Sequence, residues 1–185
     1  MNQDATERES LVLRTFVIFA MVAAAAALRI APHPWNFTPV GAIALFSGAT
    51  IPNRRLAFLM PLVVLFVSDC FIGFHRLMPV VYFSFLISVG IGRFVVQHRS
   101  TPRVALATTL GALQFFIITN FAVWEMGGTY PRTLAGLATC YFAGIPFFWN
   151  TLAGDIVYAT VLFGGLAFAE RFLPAIKSPA HQRAA

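Results

Sequence analysis

The sequence predicts an all-α integral membrane protein, folded as a bundle of six transmembrane helices. Three observations predict it. Of 185 residues, 58% are hydrophobic and only 11% are charged, against about 25% charged in soluble domains, and the mean hydropathy is +0.76. The apolar residues fall into runs close to the roughly 20 residues that cross a bilayer core. Threading those runs through a membrane places most of the basic residues on one side. A soluble chain of this size cannot bury so much apolar surface. A soluble enzyme, a disordered tail and a disulfide-framework miniprotein are therefore excluded.

Residues 1–10 read as a cytoplasmic tail, residues 11–172 as one transmembrane domain, and residues 173–185 as a second cytoplasmic tail. The first apolar run is 11–30, with Arg14 and Arg29 near its ends. Its alanines at 23–27 resemble the small-residue end of a signal peptide, but Asp4, Glu7, Glu9 and Arg14 speak against cleavage. Ala20, Ala23 and Ala27 also form a small-residue stripe that would let another helix approach closely, within the bundle or from a partner. The second run, 37–51, is short and broken by Pro39. The third, 56–73, carries Asp69 near its end, and the fourth, 78–96, carries Arg93 near its end. The fifth is 104–124. The stretch 133–172 is too long for one span and cramped for two, with Pro146 and Asn150 interrupting it. Residues 150–172 read as the sixth span. Residues 133–149, with Gly136, Gly144 and Pro146, then form a hydrophobic lid folded back over the bundle mouth; a seventh span is the other reading.

Charge separates these options. With six spans, Arg8, Arg14, Arg54, Arg55, Arg93, Arg99, Arg103, Arg171, Lys177 and Arg183 share one side, and Arg29, Arg76 and Arg132 face the other. Seven spans nearly erase that asymmetry. The positive-inside rule favours six, with both termini cytoplasmic. The net charge of +6 is then explained by cytoplasmic loops and a lipid bilayer, with no nucleic-acid partner.

Polar residues gather toward the opposite, outer side. Between residues 11 and 169 the only acids are Asp69, Glu125 and Asp155, and acids inside a membrane usually face a bundle interior or a cavity. Thr151, Asp155 and Tyr158 share one helical face. Asn120 lies at the outer end of its span, with Gln114 deeper. The outer loops hold His33, Trp35, Asn36, His75, Arg76 and Tyr130.

Of the two cysteines, Cys70 follows Asp69 and Cys140 lies in the expected lid. Four readings stand open: buried inert thiols, a Cys70–Cys140 disulfide, a zinc site of Cys70, His75 and an acid without the usual ligand spacing, and one soft thiolate meeting a metal carried by a substrate. His75 and Arg76 serve either as interfacial anchors or as ligand contacts, with Arg76 able to pair with Asp69 or with an anionic group. There is no GxSxG motif. Asp69 with Asp155 as paired intramembrane aspartates lacks a convincing flanking motif. No Walker-type loop is present, so any ATP-driven step would need partner subunits.

The run Arg29-Ile30-Ala31-Pro32-His33-Pro34-Trp35-Asn36-Phe37-Thr38-Pro39-Val40-Gly41-Ala42 is followed by Ser68-Asp69, Gly73 and His75. Then come Thr119-Asn120-Phe121-Ala122-Val123-Trp124, Tyr130-Pro131, Cys140-Tyr141, Pro146-Phe147-Phe148 and Asn150-Thr151-Leu152-Ala153-Gly154-Asp155. This ordered set, over roughly residues 28 to 165, resembles a bacterial family of small membrane proteins related to the substrate-binding S components of energy-coupling factor (ECF) transporters. The cysteine directly after Ser-Asp is similar to that of the solitary cobalamin transporters of the BtuM type.

The resemblance implies a six-helix S-component fold in the bacterial inner (cytoplasmic) membrane. It would bind cobalamin as substrate near the outer face, with no protein-held metal. Cys70 would ligate the cobalt and, if decyanation of the vitamin occurs, would be its catalytic residue; transport remains the primary activity. The implied substrate-binding set is Cys70, Asp69, His75, Arg76, Asn120, Trp124, Tyr130, Asp155, Tyr141, His33 and Asn36. ECF transmembrane and ATPase subunits would dock on the Ala20, Ala23, Ala27 face. The alternatives are an S-component-like carrier of another small vitamin with Cys70 structural, a metal-dependent membrane enzyme using Cys70, His75 and Asp69, and a structural or assembly protein without a ligand.

Overall fold

The computed structural model describes residues 3–32, 34–96, 99–173 and 176. Among them are six helices: α1 (Gln3–Ala27), α2 (Val40–Thr50), α3 (Arg54–Ile72), α4 (Met78–Val95), α5 (Thr101–Gly127) and α6 (Leu134–Phe172). The protein is all-helical. Four of these helices, α1, α3, α5 and α6, are long and apolar enough to cross a membrane.

The first helix begins at Gln3, well inside the stretch expected as a tail. The expected second span is the larger departure. It yields only the 11 residues of α2, about 16 Å of helix, half of a hydrocarbon core about 30 Å thick. Pro39 and Pro52 bracket it in the sequence, and neither can continue a helix in both directions. Every α2 residue except Ala49 is buried. A helix apolar all round is one the fold must enclose, and α2 packs against each of the other five.

Glycines set the closest of these contacts. A Cβ on Gly48 of α2 would strike the Val89 carbonyl oxygen, and one on Gly92 of α4 would strike that of Leu45. The two helices thus meet backbone to backbone, as small residues permit in membrane bundles. Asn53 caps α3 by accepting the Leu56 N–H at 3.2 Å. Gly73, at φ 109°, ends it.

The expected lid does not fold back. Thr133 accepts the Gly136 N–H at 3.1 Å and starts a helix that continues for 39 residues, about 58 Å. Residues 133–149, read as a lid or a seventh span, form its first half, and Asn150 does not break it. Pro146 removes one backbone donor. The side chains on either side of it still pack on one ring of α5: Tyr141 and Phe148 lie 5.5 and 5.2 Å from Phe116, centroid to centroid.

Ion pairs define the two ends of the bundle. At one end Glu170 accepts from Arg14 at 2.7 Å and from Arg99 at 3.0 Å, and Arg14 also donates to the Ile176 carbonyl at 2.7 Å. At the other, Arg29 pairs with Asp69 at 2.7 Å. The helices alternate in direction between these ends. Arg93 donates to the Ile51 and Pro52 carbonyls at 3.3 and 3.1 Å, holding a cation at the negative end of α2. The second helix therefore points its C-terminus toward the Glu170 end, and its N-terminus stops partway through the bundle.

Candidate functional site

The irregular backbone sits between α1 and α2, not between α5 and α6. The described residues 34–36 are exposed, and the chain turns inward at Phe37 and Thr38 to reach the recessed start of α2. Irregular backbone at such depth is tolerated where protein buries it or a cavity is lined. The segment is fastened to α6 by the Asn150–Asp155 motif. Asn150 donates through Nδ2 to the Trp35 carbonyl at 3.0 Å. Gly154 lies against the backbone of Phe37 and Thr38, where a Cβ would stand 3.2 Å from Phe37 Cα. Asp155 accepts a hydrogen bond from the Ala42 N–H. One turn further on, Tyr158 meets Phe37, ring centroids 5.8 Å apart. Two motifs far apart in sequence thus meet in space.

The start of α2 explains why an acid is needed there. Its own N-cap is Pro39, which supplies no side-chain cap. The first N–H groups of a helix lack partners and carry partial positive charge. Asp155, buried at 3% exposure, answers both from a neighbouring helix.

Directly above this junction is a cavity of about 430 Å³. Val40, Gly41 and Asp155 form its floor. Phe85 of α4, Phe115, Thr119 and Asn120 of α5, and Cys140, Ala143 and Phe147 of α6 form its walls. Arg29, Asn36, His75 and Tyr130 form a rim at the Asp69 end. The wall is mainly apolar, and its polar side chains are tied back to their own helices. Thr119 donates to the Phe115 carbonyl at 2.7 Å, Asn120 to that of Phe116 at 2.8 Å, and Thr151 to that of Phe147 at 2.9 Å.

Of the residues selected from the sequence, Asn36, His75, Asn120, Tyr130 and Asp155 come together around this space. Asp69 does not line it. It is buried behind the rim, where it takes the Arg29 guanidinium and, through Oδ2, the Tyr82 hydroxyl at 2.7 Å. The expected partner, Arg76, is exposed. Trp124 donates to the Pro131 carbonyl at 2.9 Å, and Tyr141 to that of Ile117 at 2.8 Å; both brace the α5–α6 hairpin outside the cavity wall. His33 lies outside the described residues.

Cys70 is exposed and absent from the cavity wall. Successive helical residues are turned by about 100°, so burying Ser68 and Asp69 swings Cys70 outward. The thiol on the wall is Cys140, whose Sγ lies 3.4 Å from the Asn120 carbonyl oxygen. Both cysteines are free, so they form no disulfide here. Among the described residues, no three His, Cys, Asp or Glu side chains converge as metal ligands.

Arg29 is the main site residue that sequence reading missed. At the end of an apolar run it looks like a flanking charge. In the fold it reaches Asp69, the Ser68 hydroxyl and, at 3.2 Å, the Leu65 carbonyl. Its charge is thereby matched by Asp69. The four ion pairs among the described residues involve Glu170, Asp69 and Glu125, and none involves Asp155.

Neither a curated protein nor a solved structure matches the chain. Residues 9–176 match the family of unknown function DUF6580, and the chain belongs to that family.

Proposed function

We propose that this protein is a membrane-embedded binding protein for a small organic molecule, acting as, or within, an uptake system. The observation that carries the reading is the cavity above the recessed start of α2. Its volume of about 430 Å³ falls in the range of small-molecule sites, which are mostly apolar with a few placed polar groups. A helix that stops at mid-depth, with irregular chain leading to it, is how membrane transporters build such sites. The Glu170 end below is closed by α2 and by the Arg14–Glu170–Arg99 cluster. The ligand then enters from the Asp69 end. Basic residues concentrated on the other side support an inner-membrane protein with cytoplasmic termini. A small vitamin or similar micronutrient fits this volume, with Cys70 structural.

Cobalamin is the second reading. It rests on the Ser68-Asp69-Cys70 motif and on the exposure of Cys70 near the end where the cavity opens. A corrinoid is larger than this cavity, so the corrin would have to lie outside it, against α3.

One purification tests both. The detergent-solubilised protein is titrated with cyanocobalamin and, separately, with a panel of smaller water-soluble vitamins, alongside Ala143→Trp, which fills the cavity, and Cys70→Ser. A small vitamin that binds wild type and Cys70→Ser but not Ala143→Trp supports the cavity reading. Corrin absorbance retained by wild type and Ala143→Trp but lost in Cys70→Ser supports cobalamin instead. Binding of neither class rules out both.

A further inference from the structure

The geometry points to a cationic ligand: the cavity takes a small aromatic or apolar molecule bearing a protonated amine or similar N–H cation, which seats on the Asp155 carboxylate. This rests on the cavity reading above and names its substrate class.

The charged groups around the space are few. Arg29 and His75 stand at the rim and Asp155 at the floor. Arg29 brings no net charge to a ligand, because Asp69 sits behind it at 2.7 Å. Asp155 differs. It is buried, it faces the cavity, and no cationic side chain among the described residues pairs with it. Its one identified partner is the Ala42 N–H, whereas a carboxylate has about four lone-pair sites. Helix capping therefore occupies only part of its capacity. Buried charges are normally paired, and intramembrane acids mark ligand or ion pathways.

The walls suit the rest of such a molecule. Phe85 and Phe115 stack with centroids 5.0 Å apart, and Phe147 faces the same space. Aromatic faces attract cations and accept flat apolar groups. An anion would meet the opposite arrangement, with a buried carboxylate at the floor and an arginine already neutralised at the rim.

The test uses the full-length protein in detergent and three probes with one ring system: tryptamine, tryptophol and indole-3-acetate. Binding is read by calorimetry and by thermal stabilisation. The expected order is tryptamine tightest, tryptophol weaker by about tenfold or more, and indole-3-acetate weakest. Asp155→Asn keeps the size and the acceptor for the Ala42 N–H but removes the charge, and it should abolish the preference for tryptamine over tryptophol. The wild-type order alone decides the matter if that variant does not fold. Tryptophol or indole-3-acetate binding as tightly as tryptamine, and losing that binding in Ala143→Trp, would overturn the cationic assignment while leaving the cavity reading intact. An unchanged tryptamine preference in folded Asp155→Asn would also overturn the assignment. If none of the three binds the wild type, the cationic aromatic assignment falls, and the vitamin titration with Ala143→Trp decides the cavity reading separately.

Discussion

Gly41 at the start of α2 lies so close against the carboxylate of Asp155 on α6 that no side chain fits between them. The contact fixes the depth at which α2 begins, and with it the floor of the cavity. Gly41→Ala is expected to push Asp155 away from the Ala42 N–H and to destabilise the protein by about 1–3 kcal/mol, the usual cost of overpacking. A thermal midpoint in detergent matching wild type would show that the junction is slack.

The Arg29–Asp69 pair is buried on the Asp69 side, at 3% side-chain exposure, and mostly buried on the Arg29 side, at 13%. Removing one partner strands the other charge. Arg29→Met or Asp69→Leu alone should each cost about 3–5 kcal/mol, and the double variant distinctly less than their sum. Denaturant unfolding of the four proteins in a double-mutant cycle measures this. Strict additivity would mean that the two charges do not depend on each other.

The two thiols should behave differently. Cys70 is exposed and Cys140 buried. A small maleimide is expected to modify Cys70 in the folded, solubilised protein, and Cys140 only after unfolding. Mass spectrometry of the labelled peptides checks it. Rapid labelling of Cys140 in the folded state would require the cavity wall to open.

Ala20, Ala23 and Ala27 are all exposed on α1, a face that no other described helix covers. Leu at both 23 and 27 should leave stability within about 0.5 kcal/mol of wild type. Where this face docks an ECF transmembrane subunit, as the sequence resemblance implies, the double substitution abolishes co-purification of the co-expressed subunit. Co-purification of that subunit undiminished by the double substitution would place docking elsewhere.

Several elements were legible because their signal is local. Apolar runs at 56–73, 78–96 and 104–124 became α3, α4 and α5 with small shifts at the ends. Asp155, Asn120, His75, Tyr130 and Asn36 were recognisable as polar residues in apolar or loop surroundings, and all five surround one cavity. Cys70 stood out for its neighbours in sequence, but its direction depends on the phase of α3, which is set by the burial of Ser68 and Asp69. Arg29 was hidden because its partners Ser68 and Asp69 lie about forty residues away. Pro146 and Asn150 looked like breaks, yet α6 runs through both because its packing against α5 and the segment before α2 outweighs one lost hydrogen bond.

The sequence by itself determined an apolar, helical chain with spans of membrane length and a one-sided excess of basic residues. Composition and periodicity depend only on residue type and order, and the scarcity of acids made each one conspicuous. Only the tertiary structure decided that α2 is a buried half-length helix, that the irregular segment precedes it rather than follows α5, and that Asp155 rather than Cys70 faces the cavity. Those outcomes rest on contacts between distant residues: Gly41 against Asp155, Gly48 and Gly92 against facing backbones, and Asn150 on the Trp35 carbonyl. Close packing of that kind is a property of pairs of surfaces, and no single stretch of chain carries it.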